Sequence, residues 1–379
     1  MYSDVLVVFR GGSSPRSAGD GCDDASRGRP CWLPERANNS RWLLLVCVAV
    51  ILVLTSHLLT YYSLSSQFVE HSMAASSTAK LSDITPAGPI TKLVLPGLSE
   101  PKFRQFERVV VPMNTSDGAG VRLKRSIGGP KVSELDPFLL LDEFKSDDPK
   151  DYEAGFPEHP HRGFETVTIM LHGNFKHQDS KGNTGYLTSG GVQWMTAGKG
   201  VQHSETPMQA DGLMWGYQLW VNLPAAKKMQ EPRYQDINAD QIPTIQLESG
   251  NSFRLIAGKA GDVEGPVNGV AIQPTLLDVS MTPGNTFEYP IPDGHTLFFY
   301  MVEGKIETAE GLPVGPSNLV IFSHEGNAFK VNTPADSPAR FLVISGSPIK
   351  EPIARHGPFV MNTREEIVQC FADLRGGRF

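Results

Sequence analysis

The sequence predicts an all-β protein of two tandem β-barrels. A disordered N-terminal extension and a candidate transmembrane helix precede them, and a short C-terminal helix follows. Three observations carry this reading. From about Lys102 the chain turns into short apolar or alternating runs, among them "RVVVPM", "FLLLDEF", "ETVTIML", "GYQLWVNLP", "TLLDVSM" and "ARFLVISG", broken by Gly, Pro, Asn and Asp. Many short strands with regular turn signals make a sandwich or barrel rather than a helical fold. The strand series runs twice, with a polar stretch between the two passes. The one convincing helical pattern is "REEIVQCFADLRGG", where Ile367, Phe371 and Leu374 share a face and Asn362 or Thr363 can cap the first turn.

Taken in order, residues 1–41 are rich in Gly, Ser, Arg and Asp, show no apolar period and read as disordered. Residues 42–64 form the candidate transmembrane helix: Trp42 to Leu54 is an unbroken apolar run, and Thr55 to Leu64 extends it more weakly. About 20 apolar residues cross a bilayer as a helix. Tyr61 and Tyr62 suit an interfacial belt, while Arg36 and Arg41 on the amino side predict a cytosolic amino end. A run that begins this far into the chain fits a signal anchor better than a cleaved signal peptide. Met73 opens "MAASSTAK", a second candidate start that would leave the body soluble and intracellular. The expected location is therefore a single-pass membrane anchor if residues 1–72 are retained. The sequons at Asn38 and Asn114 bear on this, because only a lumenal body could carry sugar at Asn114.

Residues 65–101 read as linker, 102–224 as the first barrel, 225–251 as a polar, strand-poor connector, 252–347 as the second barrel, and 348–379 as a C-terminal segment with the helix. Net charge is −7 with no basic block, so no direct nucleic-acid binding is expected. Cys22, Cys31 and Cys47 lie before residue 50 and Cys370 near the end, with none between Cys47 and Cys370. The body thus has no disulfide framework, and a metal there must be held by His and carboxylate.

The chemistry concentrates in "GFPEHPHRGFETVTIML". His159 and His161 stand two residues apart where a strand begins, and so share a face. In "GGVQWMTAGKGVQHSETP", His203 and Glu205 repeat that spacing after Gly190, Gly191, Gly198 and Gly200. Two such pairs on facing strands would bring three imidazoles and one carboxylate to a point. That donor set suits divalent iron, manganese, nickel or copper, whereas Ca²⁺ and Mg²⁺ want more oxygen. Four protein ligands on an ion that prefers six leave positions open for chemistry. Glu165, four residues after His161, is a rival carboxylate, and spacing does not choose between it and Glu205. His172 and His177 flank the turn "HGNFKH" and are expected in solvent. His295 and His324 have no partner two residues away, so no metal is expected in the second barrel. Trp194 and Met195 read as core, and Phe164, Trp194, Trp215 and Trp220 are candidate pocket walls.

"RSIGGP", "LDPFLLLDEF", "GFPEHPHRGFETV", "VQWMTAGKGVQHSE" and "HGPFVMNTREEI" together resemble the pirin family of bicupins, in order, over roughly residues 100–379. The resemblance implies two cupin (jelly-roll) barrels packed together. It also implies one mononuclear iron in the amino-terminal barrel, held by His159, His161, His203 and Glu205, all of which are present. On resemblance Glu205 takes precedence, and Glu165 stays as the alternate that cupins in general would favour. The implied activity is that of a quercetin 2,3-dioxygenase: an iron dioxygenase that opens a flavonol, with Glu205 as catalytic base. The implied alternative is a metal- and redox-dependent transcriptional co-regulator, or a signalling-partner binding protein, without turnover. Lys124, Arg125 and Lys199 would then be the candidate contacts. The family's members are cytoplasmic or nuclear, the location expected here without residues 1–72. Two departures stand out: an anchor like residues 42–64 is foreign to the family, and the carboxyl end at "LRGGRF" is shorter, which would loosen the packing of the barrels.

Overall fold

The computed structural model describes residues 90–92, 100–308 and 311–379. The quoted apolar runs lie in strands, except that "RVVVPM" bridges the end of one and the start of the next, and the strands gather into two barrels of two sheets each. The first barrel has a seven-stranded sheet, in the order Arg233–Ile237, Val192–Thr196, Phe164–His172, Met214–Asn222, Phe138–Ser146, Val121–Ile127, Met113–Asp117. Facing it is a four-stranded sheet of Phe156–His161, Val201–Pro207, Phe175–Asp179 and Thr184–Leu187. The second barrel pairs an eight-stranded sheet with a four-stranded one, the large sheet built on Ser252–Ala257, Thr275–Met281, Ala339–Gly346 and Thr296–Gly304.

Strand alternation explains how the barrels meet. On Phe164–His172, Val167, Ile169 and Leu171 face outward into a cluster that also takes Trp215, Tyr217 and Leu219 from Met214–Asn222. The same cluster receives Phe298 and Tyr300 from Thr296–Gly304, and Leu342 and Ile344 from Ala339–Gly346. The outer faces of both large sheets are therefore apolar and pack against each other. No residue of the C-terminal helix belongs to this cluster. Inside the second barrel, Phe253, Phe287, Phe299, Phe322, Phe329 and Phe341 fill the space, with Phe299 and Phe322 ring centroids 4.5 Å apart. The first barrel is apolar inside only at one end, through Val121, Phe144, Met170, Phe175 and Met214.

Two connections depart from a simple tandem. The strand Phe106–Val110, from the start of the body, pairs antiparallel with Leu319–Phe322 and closes an edge of the second barrel's large sheet. The connector, expected to be strand-poor, supplies Arg233–Ile237 to the first barrel and Thr244–Gln246 to the second. Beyond the second barrel, Thr363 caps the helix Arg364–Arg375 in a reciprocal capping box with Glu366. Ile367 and Cys370 seat that helix on Phe359 and Met361.

The candidate transmembrane helix is corrected, and with it the expected membrane location and anchoring. Residues 42–64 lie outside the described residues, and among the described residues no helix is long and apolar enough to cross a membrane. The one α-helix there has 12 residues. The fold is all-β with one short C-terminal helix.

Candidate metal centre

Pairing of two strands builds the site. Phe156–His161 runs antiparallel to Val201–Pro207, with His159 opposite His203 and His161 opposite Val201. Alternation then points His159, His161 and His203 to one interior point, where one nitrogen from each lies within 4.8 Å of the others. Nε2 of His159 is 2.9 Å from Nε2 of His161. Nitrogens bound to one ion at ~2.1 Å and at right angles stand ~3 Å apart, so this spacing fits neighbouring ligands. Nδ1 of His159 donates to the Pro157 carbonyl at 2.8 Å, which leaves its Nε2 as a bare lone pair. Nε2 of His203 is buried and has no partner. Burial, then the neighbouring imidazoles, holds His161 and His203 well below the usual histidine range, so both are neutral donors. Three converging imidazole nitrogens, one of them buried without a partner, are a fit for a cation.

Glu205 lies beside this trio, not within it. Its side chain is 6% exposed and accepts from Thr168 Oγ1 at 3.3 Å and Gln218 Nε2 at 3.3 Å. A bulge between His203 and Glu205 shifts the register against Phe156–His161 and re-aims the carboxylate. Gly155 makes room: at φ +58°, any Cβ there would stand 2.6 Å from the Glu205 carbonyl. Glu165, the rival, lies on the opposite face of its strand. It accepts from Thr196 Oγ1 at 2.6 Å on the side of Trp194 and Val167. Arg162 and Gly163 interrupt the strand, with Gly163 at φ +88°, so alternation counted from His161 does not carry through to residue 165.

The four candidate wall residues divide. Phe164 and Trp220 flank the site, with ring centroids 5.0 and 5.3 Å from His161. Trp194 and Trp215 instead belong to the cluster between the barrels. His177, expected in solvent, is 3% exposed and sets Nδ1 3.3 Å from Nδ1 of His203. Its signal was the alternation of Phe175, His177 and Asp179, in which the apolar first residue marks the inward face. Gln218 and Thr168, the donors to Glu205, carried no such signal. His172 is half-buried and bonds the Leu213 carbonyl, whereas His324 is exposed. The expected basic contacts are each paired: Lys124 with Glu143, Arg125 with Asp142 and Asp117, Lys199 with Glu231.

Two family models match the chain: Pirin over residues 120–221, and the Pirin C-terminal cupin domain over residues 276–379. A pirin-like protein of Caulobacter vibrioides is 45% identical over 277 residues, covering 73% of this chain and 99% of that protein. Human pirin is 40% identical over 274 residues, covering 71% of this chain and 91% of its own length. The crystal structure of a quercetin 2,3-dioxygenase from Acinetobacter baumannii superposes with a TM-score of 0.68 at 36% identity, covering 73% of this chain and 99% of that one. With the family models in both halves and relatives matched over nearly their whole length, the chain belongs to the pirin family, with two tandem cupin domains.

Proposed function

We propose that this chain is a mononuclear iron dioxygenase of the quercetin 2,3-dioxygenase type, with its reacting centre in the first barrel. The observation that carries the reading is the convergence of His159, His161 and His203, with the Glu205 carboxylate beside them, in a chain 36% identical to a solved quercetin 2,3-dioxygenase. These four residues would hold the ion. A bound iron supplies a Lewis acid for the hydroxyl and carbonyl oxygens of a flavonol and the one-electron chemistry that dioxygen requires. Glu205 accepts the flavonol's hydroxyl proton, held in orientation by Thr168 and Gln218. Phe164 and Trp220, 4.4 Å apart between centroids, give the apolar wall that a flat ring system packs against and that keeps water from the centre. Metal analysis of the purified full chain should find near-stoichiometric iron in the wild type and little in His161→Ala. Oxygen uptake with quercetin should rise with iron loading, and no turnover at any loading would remove the enzyme reading.

A further inference from the structure

We infer that His177 is a positioning residue for the metal centre: it accepts the Nδ1 proton of His203, and so fixes the tautomer and tilt of that imidazole. The inference rests on the ligand set just proposed. Each candidate ligand must present a bare nitrogen to the ion and dispose of a proton on the other nitrogen. His159 gives its proton to the Pro157 carbonyl. For His203 the group opposite Nδ1 among the described residues is another imidazole nitrogen, Nδ1 of His177, at 3.3 Å.

Two nitrogens at this distance share one proton, so one ring donates and the other accepts. Were His177 the donor, His203 would carry its own proton on Nε2 and have no lone pair for an ion. With His177 as acceptor, His203 Nε2 is bare and its proton sits between the two rings. Each arrangement leaves one buried Nε2–H unpaired, on His203 or on His177. Only the arrangement with His177 as acceptor would let His203 present a lone pair to an ion.

The acceptor is itself held. Its ring packs at a tilt against Tyr234, centroids 4.7 Å apart, and Tyr234 comes from the connector strand Arg233–Ile237. The Tyr234 hydroxyl donates to Asp179 Oδ2 at 2.7 Å, and Asp179 is the register partner of His203. His177 is thus fixed between a candidate ligand and a tyrosine anchored to that ligand's own neighbour. Glu205, its register partner, Asp179 two residues on, and Asp236 of the connector are the nearby acids, and none of them hydrogen-bonds the ring.

The test compares the full-length wild type with His177→Phe and His177→Asn. Phenylalanine keeps a ring against Tyr234 but cannot accept. Asparagine places Oδ1 where Nδ1 was and can. The readouts are anaerobic Fe(II) affinity by chelator competition, the ligand-field spectrum of Co(II)-loaded protein, and thermal unfolding of the metal-free forms. His177→Phe should weaken Fe(II) binding by about 10- to 100-fold and shift the Co(II) bands, with little change in metal-free unfolding. His177→Asn should restore most of the affinity. If His177→Phe does not fold, His177→Leu serves the same comparison. Wild-type affinity in the phenylalanine or leucine variant would overturn the inference. Equal loss in the asparagine variant would overturn it in favour of direct ligation by His177. A wild type that takes up neither metal would overturn the ligand set, and the inference with it.

Discussion

His159 and His161 were legible because a spacing of two on a strand is a statement about one face, and the pair His203 and Glu205 repeats it. Glu165, the alternate to Glu205, shows where that rule stops: it holds only while the strand continues, and Gly163 ends it. The two carboxylates therefore separate experimentally. Glu205→Gln should lower bound iron and abolish quercetin turnover. Glu165→Gln, whose carboxylate serves Thr196 on the far face, should leave the iron content unchanged in metal analysis. Lys228 was invisible in "PAAKKMQ", since nothing in that stretch marks one lysine of two as internal. It is 1% exposed and gives its three N–H donors to Gly163 O, Asn222 Oδ1 and Val360 O at 2.7, 2.7 and 3.0 Å. Lys228→Met would strand three buried acceptors and should cost on the order of 3 kcal/mol in denaturant unfolding.

Among elements, the C-terminal helix was read correctly from its capping box and apolar stripe, but not its landing place. Arg162, next to His161 in the chain, donates to Asp373 at 2.7 Å and lies against Phe379, so the helix docks on the strand that carries the candidate ligands. Hydrogen bonds from Arg162, then Gln369 and Arg378, hold the Asp373 carboxyl down to about 2. The folded value lies below the unfolded one, so this contribution is present above about pH 4 and is lost as pH falls through about 2. Asp373→Asn should therefore lower the thermal midpoint at pH 7, and its difference from wild type should shrink as pH drops from about 4 to 2. The connector shows the opposite case. Its polarity suggested no strand, yet an edge strand needs only one buried face, and Arg233–Ile237 finds it against Val192–Thr196.

For the molecule as a whole, the paired barrels were legible in the doubled strand series, and the absence of alternation in "FLLLDEF" and "HTLFFYMVEG" is what a sheet buried on both faces requires. Such a shared cluster should make the barrels unfold together. Phe298→Ala should cost about 3–5 kcal/mol. It should move the far-UV dichroism and tryptophan fluorescence transitions equally, although Trp194, Trp215 and Trp220 all lie in the other barrel. Two separate transitions would show that each barrel stands alone.

The strand Phe106–Val110 has a consequence for synthesis. Beside it, Gln105 N bonds Ser323 Oγ at 3.1 Å across 218 positions. At a translation speed of roughly 5–20 residues per second, the earlier segment waits on the order of 10–40 s for its mate. Throughout that interval a nascent chain exposes Val109 and Val110 as an unpaired edge, a natural target for a ribosome-associated chaperone. The edge of the distal barrel's large sheet is therefore closed only after some two hundred further residues have been made.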